Sequence, residues 1–162
     1  MDPSRGGRNA DALGEDYETS VFSRGFEKLV PAPLARFAAT IDVTTDRESY
    51  APGDPVTLRV AINNRLPVPI DVPIAEPRIW GWSIDGLLEA TDERTYEPER
   101  RQSLSLRAGE TRTVEHVWNG YIKRTADGRR TIHEPLARGK HEIRVFLGTN
   151  PRKTGSTTVT VR

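Results

Sequence analysis

From Leu66 to Ile74 the chain reads Leu-Pro-Val-Pro-Ile-Asp-Val-Pro-Ile, with Pro67, Pro69 and Pro73 on one parity and Val68, Ile70, Val72 and Ile74 on the other. Alternate residues of an antiparallel strand direct their N–H groups to the same edge, so these prolines strip the donors from a single edge. Such a run fits only the border of a sheet, with its apolar set turned to a core. The bare edge cannot recruit a foreign strand, which argues against β-augmentation there.

Period-two patterning surrounds this run. A Pro-Gly turn at Pro52-Gly53 feeds Val56, Leu58, Val60 and Ile62, which share one face, while Thr57, Arg59, Ala61 and Asn63 share the other. Phe37, Ala39, Ile41 and Val43 alternate with polar residues and predict the neighbouring strand. Trp80, Trp82 and Ile84 share a parity, and Asp85-Gly86 is a two-residue hairpin signal leading into Leu87–Thr91. A charged connection over 92–102 precedes Leu104 and Leu106, and the Ala108-Gly109 turn precedes Val114, His116 and Trp118. Asn119–Arg138 reads as a loop, after which Ile143, Val145 and Leu147, a turn at Asn150-Pro151, and Val159 and Val161 close the chain. About eight short strands with regular turn signals and no convincing long helix predict an all-β, immunoglobulin-like antiparallel sandwich.

The 162 residues suffice for one domain with a proper core and a modest extension. The expected division is an N-terminal arm over 1–35 and the sandwich over 36–162. The glycine-rich, charged residues 1–18 lack apolar periodicity and predict an arm that is partly disordered or ordered by a partner. Phe22, Phe26 and Leu29 fall at helical spacing, with Ser20 as N-cap and Pro31 as stop. They form either a side packing for the sandwich or a docking element. No apolar run near the N-terminus has the form of a signal peptide, and none approaches the length of a membrane span, so the expected location is cytoplasmic.

Several motifs together resemble the intracellular proteinase inhibitor family. They are Tyr50-Ala-Pro-Gly-Asp-Pro-Val56, the Asn63-Asn64 loop, the tryptophan strand ending in Asp85-Gly86, Leu106-Arg-Ala-Gly109-Glu110-Thr, Val117-Trp118, and Gly139-Lys-His-Glu-Ile143-Arg-Val. The resemblance spans about Asp46 to Leu147. It implies an immunoglobulin-like sandwich and a non-catalytic domain that meets a macromolecular partner through loops at its end.

Catalytic chemistry has little support in the residues. There is no cysteine, which removes thiolate metal sites and cysteine nucleophiles. His116, His133 and His141 lack metal-ligand spacing, although strand parity puts His116 and His141 on inward positions late in the fold. Ser103 and Ser105 lie outside any Gly-x-Ser-x-Gly turn, and the carboxylates Asp92-Glu93 and Glu97-Glu99 belong to a charged connection. We therefore expect no enzyme, no cofactor, no metal and no small-molecule substrate.

Charge distribution carries the functional signal. The chain has 24 basic and 23 acidic residues, yet residues 118–162 hold ten basic and three acidic, a local +7. Lys123, Arg124, Arg129, Arg130, Arg138, Lys140, Arg152 and Lys153 sit there, with Tyr121 as a stacking candidate. The candidate partner-binding residues are these, with Phe22 and Phe26 from the arm. The expected partner is another protein or a ribonucleoprotein particle. Nucleic-acid binding through the basic third and inhibition of a cytoplasmic protease stand as alternatives. Acids of residues 46–117, which hold thirteen against nine bases, could instead neutralise the basic third across the fold.

Overall fold

The computed structural model describes residues 30–88, 102–126 and 130–162. Helix α1 spans Ala32–Ala38, and the strands are β1 (Ala39–Thr45), β2 (Ser49–Tyr50), β3 (Val56–Asn64), β4 (Ile70–Ile74), β5 (Trp80–Ile84), β6 (Leu87–Leu88), β7 (Gln102–Leu106), β8 (Thr111–Trp118), β9 (Tyr121–Ala126), β10 (Arg130–Pro135), β11 (Gly139–Leu147) and β12 (Lys153–Val161). One sheet has the order β1-β3-β8 and the other β2-β12-β11-β5-β6, with β4-β7 and β9-β10 as separate pairs. The result is an immunoglobulin-like β-sandwich.

The alternation read in β3 produces its burial. Val56, Leu58, Val60 and Ile62 are buried while Arg59 is exposed. Ile41 and Val43 of β1 join them, and Trp82, Ile84, Ile143, Val145, Val159 and Val161 of the second sheet complete the same core. Each fully buried aliphatic side chain contributes about 1.5–3 kcal/mol by leaving water. The sheets approach closely where β12 passes β1. A Cβ at Gly155 would lie 2.4 Å from the Ile41 carbonyl oxygen.

The proline-bearing strand pairs with β7 alone among the described residues, from Ile70↔Leu106 to Ile74↔Gln102, and buries Ile70, Val72 and Ile74. It begins two residues later than the parity suggests. Asn64, buried at the end of β3, donates from Nδ2 to the carbonyls of Val68 (2.8 Å) and Arg107 (2.7 Å), and its Oδ1 accepts from the Leu66 N–H at 2.9 Å. The segment between β3 and β4 is thereby bent around one asparagine and tied to the β7–β8 turn.

A second polar cluster fixes the entry to β3. The Tyr50 hydroxyl donates to Asp46 Oδ1 at 2.8 Å and accepts from the Arg47 N–H, and the same Asp46 oxygen accepts from the Thr57 N–H at 2.9 Å. Burial works to raise the Asp46 carboxyl, but the bonds from Thr57, Tyr50 and Arg47 outweigh it and hold the group below its ordinary value. Burial, and then the bond to Asp46, push the Tyr50 hydroxyl up.

Three readings need correction. Phe37 is not on β1 but in α1, where it is 75% exposed; only Ala39, Ile41 and Val43 keep the strand alternation. Pro31 is the N-cap of α1, with Pro33 in its first turn, where a missing N–H costs no hydrogen bond, and the helix expected to end at Pro31 lies outside the described residues. Asn119–Arg138 is no loop, because β9 and β10 pair from Tyr121↔Pro135 to Ala126↔Arg130. The sandwich is also not wholly antiparallel, since β2 runs parallel to β12 over two residues. Residues 20–29 of the expected arm, Phe22 and Phe26 among them, lie outside the described residues. So do Leu29 and the carboxylates at 92, 93, 97 and 99.

Candidate interaction surfaces

The β9–β10 hairpin is welded to the Pro-Gly turn that opens β3. Gly120, at φ +78°, sits so close to that turn that a Cβ would lie 2.3 Å from the Asp54 carbonyl oxygen. The buried Trp118 donates its indole N–H to the Tyr121 carbonyl at 3.0 Å, and the Leu136 N–H closes the base of the hairpin on Gly120 O at 3.0 Å. The Tyr121 ring lies over Gly53, its hydroxyl 3.0 Å from where a Cβ would stand. Tyr121 is thus partly a structural residue, although 39% of it stays exposed.

Alternation along the hairpin separates its faces. Ile122 is buried and Ile132 and Glu134 are half-buried, whereas Tyr121, Lys123, His133 and Pro135 are exposed, with Lys123 directly opposite His133. Arg124 and Arg130 belong to the same ladder, opposite Ile132 and Ala126. Arg129 lies outside the described residues. Arg138 and Lys140 are exposed just beyond the hairpin, at the start of β11.

The remaining candidates lie elsewhere. In the β11–β12 ladder Gly139 faces Val161 at one end and Leu147 faces Lys153 at the other. Eight residue steps at about 3.4 Å each put Lys153 roughly 27 Å from the hairpin end. The basic third therefore forms two separated groups, not one patch. Arg152 packs its guanidinium 4.2 Å from the Phe146 ring centroid and binds both Glu76 oxygens, which raises its already high pKa. Lys153 places its ammonium 5.3 Å from the Phe37 ring centroid.

Among the described residues, two acids of the middle segment meet basic side chains of the last third. Glu76 takes Arg152, and Asp85 takes His141. Asp46, Asp54, Glu110 and Glu115 are instead paired with Arg47, Arg112 and Arg59 of their own segment. The Arg107 N–H and then Arg112 hold the Glu110 carboxyl below its ordinary value.

The histidines have structural surroundings. His141 Nδ1 lies 2.6 Å from Asp85 Oδ2 and its Nε2 2.7 Å from the Ala137 carbonyl, so the ring ties the β5–β6 turn to the segment after the hairpin. His116 packs at 5.7 Å from Trp82, which meets Trp118 edge-on at 5.5 Å. Trp82 and Trp118 are core and Trp80 is half-buried. Among the described residues no three His, Asp or Glu side chains gather as a metal site. Ser105 donates to Asp71 Oδ1 at 3.0 Å, with no histidine beside it in that pair. No described helix is long and apolar enough to cross a membrane.

The hairpin was missed because Ile122 and Ile132 are the aliphatic markers in a charged stretch. The signal that could have found it is Asp127-Gly128, a turn dipeptide midway between them.

Comparison with known proteins gives a family but no activity. Residues 27–162 match DUF7974, a family of unknown function. No curated protein matches the chain. Similar solved structures include a CARDB domain from Pyrococcus furiosus, 11% identical with a TM-score of 0.44, covering 76% of this chain and 94% of that one. Another is the sporulation control protein Spo0M from Bacillus subtilis, 14% identical with a TM-score of 0.46, covering 77% of this chain and 49% of that one. A β-glucosidase from Erythrobacter marinus is 15% identical with a TM-score of 0.45, covering 76% of this chain and 15% of that one. The chain thus spans about half the length of Spo0M and a small part of the glucosidase.

Proposed function

The chain belongs to the DUF7974 family, and from that premise we propose that it is a non-catalytic interaction module, of proteinase-inhibitor-like type, that binds an acidic protein through the β9–β10 hairpin. The supporting observation is the hairpin's construction. A rigid base made by Gly120, Trp118 and Leu136 carries an exposed face of Tyr121, Lys123, His133 and Pro135, and Arg138 and Lys140 follow it. A rigid ladder presents its side chains with little entropy left to lose on binding, and clustered cations favour an acidic counterpart.

The test is co-purification from native extract, with and without nuclease, of the natural protein and a Lys123→Glu/His133→Glu variant. The reading expects a protein partner that survives nuclease, falls away with rising salt and is lost from the variant. Recovery unchanged in the variant refutes the hairpin as the contact. Loss of the bound material on nuclease treatment replaces the protein partner by the nucleic-acid alternative. Inhibition of a cytoplasmic protease is the narrower form of the proposal, and titration of such proteases with the purified chain decides it.

A further inference from the structure

The opposite end of the sandwich carries a surface independent of the hairpin. Leu34 and Phe37 are one helical turn apart on α1 and both stand in solvent, Phe37 at 75% exposure. One cation, Lys153, lies against the Phe37 ring and a second, Arg36, precedes Phe37 on α1; among the described residues Lys153 meets the ring and Arg36 meets carbonyls. Arg36, the next residue on α1, donates from Nη1 to the Asn150 carbonyl at 2.8 Å and from Nε to the Ala32 carbonyl at 3.3 Å. Lys153 holds its ammonium 5.3 Å from the ring centroid. Behind them Arg152 is occupied by Glu76 and adds no net charge. The patch is therefore a mostly open aromatic ring with one ammonium held against it and a guanidinium on the adjoining residue, fixed to two backbone carbonyls.

We infer that this end binds single-stranded nucleic acid, one base stacking on the open face of Phe37 while adjacent phosphates meet Lys153 and Arg36. The charge complementarity is with an anion that also brings a flat apolar surface. A nucleotide carries base and phosphate in one unit, whereas an acidic peptide needs two different residues in register. A duplex keeps its bases stacked within itself and cannot offer one to the ring. The surface stands apart from the hairpin by the length of β11, so it does not rest on the function proposed above.

Fluorescence anisotropy with a labelled single strand of about 15 nucleotides, long enough for ordinary single-strand sites, tests it. Stacking on one aromatic ring corresponds to roughly a tenfold change in affinity. We expect binding by the natural chain, a roughly tenfold loss in Phe37→Ala and Phe37→Leu, and retention in Phe37→Trp. Two phosphate contacts predict a log–log salt slope of about −1.4, falling to about −0.7 in Lys153→Glu. Because Phe37 is exposed, these variants keep the fold, and an unchanged melting temperature verifies that. Lys123→Glu should leave the affinity within twofold, which separates this site from the hairpin. The inference is overturned by absence of binding, by binding that Phe37→Ala leaves intact, by equal binding of the duplex, or by binding of a polyglutamate peptide alone.

Discussion

Replacing Asn64 by alanine should be among the most damaging changes of a single polar side chain in this molecule, and its neighbour supplies the control. Asn64 is buried and makes three side-chain hydrogen bonds of 2.7–2.9 Å, to the Val68 and Arg107 carbonyls and from the Leu66 N–H. Alanine removes all three and leaves three backbone groups in a partly buried site. At about 1 kcal/mol for each bond to a group that water can partly reach, the loss is about 3 kcal/mol. For a domain of this size that lowers Tm by roughly 10 °C. Asn63, with contacts of 3.4 and 3.3 Å to Thr40 and Asp42, should cost under about 0.5 kcal/mol when changed to alanine. Asn64→Asp should be worse than Asn64→Ala, because a carboxylate faces two carbonyls to which it cannot donate. Urea unfolding at neutral pH, with calorimetry for Tm, measures these values. If Asn64→Ala falls within about 1 kcal/mol of Asn63→Ala, the idea that Asn64 organises both connections is wrong.

Two other perturbations test the frame that holds the surfaces. Gly155→Ala drives a Cβ to 2.4 Å from the Ile41 oxygen and 3.0 Å from the Asp42 Cα, both backbone atoms of a strand already paired with β3; we expect about 1–3 kcal/mol of destabilisation by urea unfolding, against under about 0.5 kcal/mol for the exposed neighbour in Ser156→Ala. Asp46 is held below its ordinary 3.8, so its contribution to stability is present above that pH and is lost as pH falls through the lower folded value. The stability gap between the natural chain and Asp46→Asn should therefore be full at neutral pH and shrink below 3.8, and a gap that stays constant on acidification contradicts the assignment.

Much of the sandwich was legible because its strands obey period two with few exceptions. Val56 to Ile62, Ile70 to Ile74 and Trp82 to Ile84 bury the residues that the alternation selects, and the Asp85-Gly86 turn has both residues at positive φ, as its composition demands. What misled was composition at the borders. Phe37 continues the parity of Ile41 by coincidence, while Pro31 and Pro33 start a helix whose buried face is only Ala35 and Ala38, too small to register as amphipathic.

The candidate surfaces were half legible. The charge excess after Trp118 is visible in the sequence, but its division into two groups is a consequence of the β11–β12 ladder, which carries Lys153 away from Lys140. Local sequence likewise gives no sign that Arg152 is matched to Glu76, 76 positions earlier. Phe37 entered the sequence reading as a core residue, and exposure, a tertiary property, makes it a candidate for contact.

The central claim is that the β9–β10 hairpin is the contact with a protein partner. Amide hydrogen exchange of the co-purified complex against the free chain tests it most directly. The account predicts new protection over Tyr121–Pro135 and along the adjoining Ala51–Asp54 turn, with the β4–β7 pair unchanged. Protection confined to other strands, with the hairpin exchanging as it does in the free protein, would contradict it.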